Sequence, residues 1–173
     1  MTWFVMRDLT RPNALRPAYK MLSEEGFEIF TPMVWKIHQK RGQRERELVP
    51  VIHDLLFVNS ERELLDPVVE KTGTLQYRYV RGGKYCEAMT VGTPEMERFI
   101  HASASTSDPK YFAPGEITAN MVGRKVEISG GPLSGYKGNL LSVKGMRKKR
   151  LIVELPGMIS SAVEVSQDYI KFI

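Results

Sequence analysis

The sequence predicts an α+β domain with helices flanking an antiparallel sheet, followed by a small all-β barrel. Three observations lead there. Short apolar runs of strand type alternate with helical patterns through residues 1–102. Residues 103–116, SASTSDPKYFAPGE, are small and polar, hold two prolines and lack periodicity, which is linker composition. Residues 117–173 carry five short β-rich runs divided by turns and no helical pattern. A module that short buries its apolar faces by curling them into a barrel.

In the first domain, residues 3–6 form an apolar strand. Residues 13–25 read as a helix, with Leu15, Ala18, Met21 and Leu22 on one face and Gly26 as its stop. Pro17 must then fall near the first turn, because an interior proline breaks a helix. Residues 27–35 and 48–58 are β-rich. The intervening KIHQKRGQRERE is polar around Gly42, so the two runs form a hairpin with a charged tip. Residues 62–71 read as a helix kinked at Pro67, and 75–80 as a strand ending at Gly82-Gly83. Thr93-Pro94-Glu95 is a helix start, with a cap, a first-turn proline and an early acid. Met96, Phe99 and Ile100 follow as its apolar face. In the second domain the strands are 125–128, 139–143, 151–155, 162–165 and 169–172.

Composition narrows the function. Hydrophobic residues make up 42% and charged residues 26%, enough for a core. No apolar run is long enough to span a membrane, and the opening residues lack a signal-peptide pattern. Cys86 is the single cysteine, so no internal disulfide forms, which fits a reducing cytoplasm. The net charge of +5 comes from residues 117–173, with nine Lys/Arg against four Asp/Glu, while residues 1–116 balance. Such a basic module suggests an anionic partner, nucleic acid or ribonucleoprotein first. An ordinary solvated surface is the alternative.

The stretch ISGGPLSGYKG tests a phosphate loop. Gly130 and Gly135 have that motif's spacing, but Tyr136 takes the lysine position and Lys137 comes one residue late. Gly138 follows without a hydroxyl, and a strand replaces the required helix. His38, His53 and His101 are scattered without metal-ligand spacing. Ser134 lies outside a nucleophile elbow, and Cys86 reads as a small packed side chain. The chain is therefore read as no enzyme, with no cofactor and no metal.

The basic tracts carry more. Lys36, Lys40, Arg41, Arg44 and Arg46 crowd the hairpin tip, partly offset by Glu45 and Glu47. Arg16 and Lys20 share a helix face beside Tyr19. These seven cations are the candidate nucleic-acid contacts, through salt-sensitive phosphate binding. Arg147-Lys148-Lys149-Arg150 reads as a second basic tip.

Taken together, two segments resemble the NusG family of transcription elongation factors. WFVM, EIFTPMV, LVPVIHDLLFV and LQYRYVRGG follow the order of that family's N-terminal NGN domain. GRKVEISGGPLSGYKGNLLSV resembles a KOW motif, which Pro132, Tyr136 and Gly138 match, and the remaining strands resemble the rest of an SH3-like KOW barrel. The nearest subgroup is the specialised RfaH-like paralogues, antiterminators of long surface-polysaccharide operons. His53-Asp54-Leu55 stands where the family usually has Pro-Gly/Asn-Tyr.

The resemblance implies a monomeric cytoplasmic factor that touches no membrane and docks on the clamp helices of RNA polymerase. Trp3 and Phe4 match the family's aromatic pair, and Ile52 and Leu55 flank the altered turn. It further implies contact with non-template or upstream DNA. The KOW domain would bind Rho or a small-subunit ribosomal protein through Tyr136, Lys137, Gly138, Leu155, Pro156 and Met158. The alternative is a KOW-containing ribosome- or RNA-binding protein.

Overall fold

Four consecutive buried side chains, Trp3, Phe4, Val5 and Met6, place the opening strand at the centre of a sheet. The computed structural model describes residues 1–173. They divide into two units, Met1–Thr93 and Pro94–Ile173. The first unit runs β1 (Thr2–Asp8), α1 (Ala18–Glu24), β2 (Glu28–Phe30), β3 (Met33–Lys40), β4 (Gln43–Pro50), β5 (Leu56–Ser60), α2 (Arg62–Lys71), β6 (Leu75–Tyr77) and β7 (Thr90–Val91). Its main sheet has the order β2-β5-β1-β6, with β7 also pairing β1. Every pairing is antiparallel.

Strand alternation assigns the faces. Phe4 and Met6 of β1, Leu56 and Val58 of β5, and Leu75 and Tyr77 of β6 meet Ala18 and Leu22 of α1 and Leu65 and Val68 of α2. Trp3, Val5, Leu55 and Phe57 belong to the opposite face, as the Val5–Phe57 register shows. The helices thus cover one side of an antiparallel sheet, as the sequence predicts.

Prolines account for most boundary differences. α1 begins at Ala18 instead of residue 13, because Pro17 is its extended N-cap at φ −65, ψ 162. Proline also disfavours helical geometry in the residue before it, so Leu15 lies 97% exposed and off the core face. Pro32 interrupts the expected run 27–35, and Pro50 ends β4, so 48–58 becomes a strand, a turn and a second strand. α2 continues through Pro67.

The second unit contains α3 (Thr93–Ala104) from its second residue on, β8 (Lys110–Phe112), β9 (Val122–Ile128), β10 (Lys137–Leu141), β11 (Arg150–Leu155), β12 (Ile159–Glu164) and β13 (Ile170–Phe172). Its six strands form one sheet in the order β13-β9-β10-β11-β12-β8. Val126, Ile128, Leu151, Val153, Ile159, Ala162 and Val163 supply its core. β8 comes from the stretch with linker composition and pairs with β12. α3 packs on this sheet: Phe99 lies against Tyr111 at 6.4 Å, and Tyr136 OH donates to Arg98 O at 3.0 Å.

The glycine-rich stretch closes the turn between β9 and β10. Ile128 N–H donates to Tyr136 O at 2.9 Å, and Gly135 N–H donates to Ile128 O at 2.7 Å. Gly131 sits at φ +72, and a Cβ there would come within 3.0 Å of the Tyr169 ring. Gly131→Ala should therefore destabilise the second unit by about 1–2 kcal/mol. Chemical denaturation, with the second unit's amides followed by NMR, measures this.

Candidate functional site

Residues 51–55 form a turn between β4 and β5. Val51 N–H donates to Pro32 O at 2.9 Å, and Leu55 N–H donates to Ile52 O at 3.1 Å. His53 and Asp54 then fasten the turn to the end of β1. His53 Nε2 donates to Thr10 O at 2.6 Å, and Arg7 reaches the Asp54 carboxylate at 3.1 Å. Ile52 is half-buried, while Leu55 and Trp3 are buried on one face of the sheet. Phe4 lies on the other face, in the helix-side core, edge-on to Tyr77 at 5.6 Å. The aromatic pair thus divides between the two faces, as adjacent residues of a strand must.

The second surface is the β3–β4 hairpin, a separate two-stranded sheet. Lys40 pairs with Gln43 across Arg41-Gly42. Both central residues have positive φ, 53 and 76, the geometry that matches strand twist in a two-residue turn. Arginine is an unusual occupant of that left-handed position.

Register sorts the hairpin's side chains into unlike faces. One face carries Trp35, Ile37 and Gln39 with Leu48, Arg46 and Arg44 and holds no acid. Trp35 and Ile37 are 56% and 67% exposed, and the Arg46 guanidinium lies over the indole at 4.7 Å. On the other face Lys36 opposes Glu47 and His38 opposes Glu45, with Lys40 nearer the tip; His38 also contacts the Glu47 carboxylate. Of the five cations expected at the tip, Arg44 and Arg46 share the aromatic, acid-free face. Lys36 and Lys40 share theirs with two glutamates, and Arg41 occupies the turn.

At α1, Lys20 is exposed, 5.9 Å from the centre of the Tyr19 ring. Arg16 precedes the helix and pairs with Glu24 at 2.9 Å, both well exposed. Arg16 and Lys20 therefore do not form a shared helix face, since the helix starts after Arg16.

In the second unit, Lys137, Gly138, Leu155 and Met158 line one cleft of about 510 Å³. Gly138 keeps its floor low, because a Cβ there would meet Ile152 O at 3.3 Å. Gly157, at φ +74, turns the chain between β11 and β12, and Met158 N–H donates to Leu155 O at 3.0 Å. Tyr136 and Pro156 lie outside the lining. Tyr136 instead holds α3, with the Arg98 guanidinium 4.8 Å from its ring centre; burial raises its hydroxyl pKa while Arg98 pulls the other way. Sequence reasoning missed Arg98, Ala113, Pro114 and Gly115, which also line the cleft. The exposed Pro114-Gly115 pair belongs to the stretch with linker composition, and nothing local places it beside β12.

One basic tract changes meaning. Arg147, Lys148 and Lys149 are exposed, but Arg150 is only 4% exposed. Its Nη1 donates to Asp108 O at 2.8 Å and Ala162 O at 3.1 Å. Arg150 is therefore no part of a basic tip: it lies on the face of β11 opposite Leu151 and Val153, and the 108 segment and β12 that it bonds enclose it.

A family model described as "Transcription termination factor nusG" matches residues 1–100. No curated protein matches the chain. The solved structure described as "Domain interaction in Thermotoga maritima NusG" is similar at 15% identity, with 99% of this chain and 97% of that one covered and a TM-score of 0.47.

Proposed function

The chain belongs to the NusG family of transcription factors, and from that premise we propose that it is an elongation and antitermination factor that docks on the clamp helices of RNA polymerase. The family match over residues 1–100 carries this reading. Of the four candidates only Ile52 is partly exposed and offers itself to a partner; Trp3, Phe4 and Leu55 are buried and act as core that shapes β1 and the turn carrying Ile52. A factor that bridges the clamp favours its closed state, so paused states that need an open clamp become less populated. No bond is made or broken.

The hairpin's acid-free face suits nucleic-acid contact, with Arg44 and Arg46 for phosphates and Trp35 between them and the sheet. Arg41 supports this use, since it holds a left-handed turn position that glycine or asparagine usually fills. Lys36, Lys40, Arg16 and Lys20 add weaker, longer-range attraction to non-template or upstream DNA. The cleft around Leu155 and Met158 is the contact for a protein partner, Rho or a small-subunit ribosomal protein.

Polar fastening of the turn through His53 and Asp54 supports a specialised, RfaH-like paralogue serving one long surface-polysaccharide operon. A general factor with Pro-Gly-Tyr would close that turn without those bonds.

Retention on purified core polymerase across a salt series tests the central claim. The wild-type chain should stay bound at moderate salt, since apolar docking is weakly screened. Ile52→Asp, at a half-buried position, should release it, and Ile52→Leu should not. Binding that collapses with salt, or is indifferent to Ile52→Asp, would falsify clamp docking.

A further inference from the structure

The edge of the first sheet carries a projection of which only Ala88, at its base, packs against the core. Arg78 N–H donates to Val5 O and Val5 N–H donates to Met89 O, both at 2.9 Å. Met89 N–H donates to Arg78 O at 2.7 Å. The chain thus leaves the sheet edge and rejoins it at one point, opposite Val5. Between these residues lies an arm, 79–88, pinched by a bridge between Tyr79 and Ala88 and by Val80 N–H donating to Glu87 O at 2.9 Å.

The arm has a determinate shape. Gly82 and Cys86 lie at φ 72 and 52, and a Cβ on Gly83 would run into the Glu87 carboxylate. Glu87 is the arm's one acid, and its carboxylate accepts from the Lys84 backbone N–H at 3.0 Å.

What the arm presents is aromatic and cationic. Tyr85 is 97% exposed and Tyr79 48%, with exposed Arg81 and Lys84 between them. A side chain as exposed as Tyr85 adds almost nothing to the fold's apolar burial. Tyrosine faces interleaved with cations suit a flexible polyanion whose bases are unpaired. A duplex offers phosphates but hides its base faces.

We propose that the arm 79–88 binds single-stranded nucleic acid, with Tyr85 and Tyr79 stacking on bases and Arg81 and Lys84 holding the adjoining phosphates. This contact is a property of the free chain and stands apart from polymerase docking.

Fluorescence anisotropy of the full chain with a labelled oligothymidylate strand, and with a duplex of equal length, tests it. Tyr85→Ala should weaken strand binding roughly ten-fold and leave duplex binding unchanged. Tyr85→Phe keeps the ring and should keep the affinity. Paired Arg81→Ala and Lys84→Ala should lower affinity and flatten the salt dependence. Circular dichroism confirms that each variant is folded. The proposal fails if the wild-type chain does not bind the strand, if Tyr85→Ala has no effect, or if it weakens strand and duplex equally. It also fails if Tyr85→Phe loses as much as Tyr85→Ala. Loss of binding to nucleic-acid-free polymerase with strand binding intact would make the arm a protein contact instead.

Discussion

Replacing Asp8 by alanine should destabilise the first unit by about 3 kcal/mol. Asp8 ends β1, only 4% exposed. Its carboxylate accepts from Thr10 N–H at 2.9 Å and the Thr10 hydroxyl at 2.7 Å. It also accepts from Ala18 N–H, the first residue of α1, at 3.0 Å. Pro17 cannot cap that helix, and its first turn holds no acid. Asp8 is therefore the helix cap, delivered from a neighbouring strand. Alanine leaves two enclosed backbone donors without partners, at roughly 1–3 kcal/mol each before local relaxation. Asp8→Asn should lose less, since its amide oxygen still serves one donor. Urea unfolding should show a lower midpoint at an unchanged slope. The effect extends to function, because Thr10 O accepts from His53, and His53 orients the turn bearing Ile52 and Leu55. Asp8→Ala should therefore also loosen polymerase retention under conditions where the variant remains folded. Wild-type stability would mean that water replaces the carboxylate and that α1 needs no cap.

The legible parts of the fold were those written in local chemistry. Gly42 between two polar runs announced the hairpin, and the turn indeed places Arg41-Gly42 at its centre. Thr93-Pro94-Glu95 announced α3, and the five β-rich runs after residue 117 all became strands. Prolines cut the hydrophobic pattern where periodicity alone does not show it. Pro17 stands near a helix start, and its restriction on Arg16 keeps Leu15 off the helix. Pro32 and Pro50 each divided a run that looked continuous by hydrophobicity alone.

Long-range polar contacts were illegible for a different reason. Nothing near Asp8 says that its carboxylate will meet Ala18, and nothing near His53 points to Thr10. The arm was half visible: YRYVRGGKY stood out only as a strand with a glycine stop. Its exposed aromatics become informative once both ends are seen to leave the sheet at Val5. Charge runs are the least legible, since 147–150 reads as uniform while long-range carbonyls at Asp108 and Ala162 enclose one member, Arg150. The hairpin cations look equivalent in sequence, and only register separates Arg44 and Arg46 from Lys36 and Lys40.

That inward arginine supports the other large effect. Arg150→Ala should destabilise the second unit by about 2–4 kcal/mol, whereas Lys148→Ala should change it by no more than about 0.5 kcal/mol. Lys148 pairs with Glu164 at 3.3 Å, but both side chains are well exposed. The Arg150 side chain is 5% exposed and spans two backbone segments, donating to Asp108 O before β8 and to Ala162 O in β12. Its carboxylate partner matters less: Asp108 Oδ2 lies 3.6 Å away on a side chain 79% exposed. Asp108→Ala should thus stay within about 1 kcal/mol of wild type, because the backbone carbonyl that Arg150 uses survives. Arg150→Met, which keeps volume and loses the donors, should fall between Arg150→Ala and wild type. Hydrogen exchange locates the damage: amides of β12 and β8 should lose protection in Arg150→Ala, since the guanidinium joins the two segments that carry them. Equal losses for Arg150→Ala and Asp108→Ala would mean that the ion pair, not the carbonyl bonds, holds residue 108 in place. Unchanged exchange in Arg150→Ala would show that the β8–β12 pairing is stable without any side-chain tie.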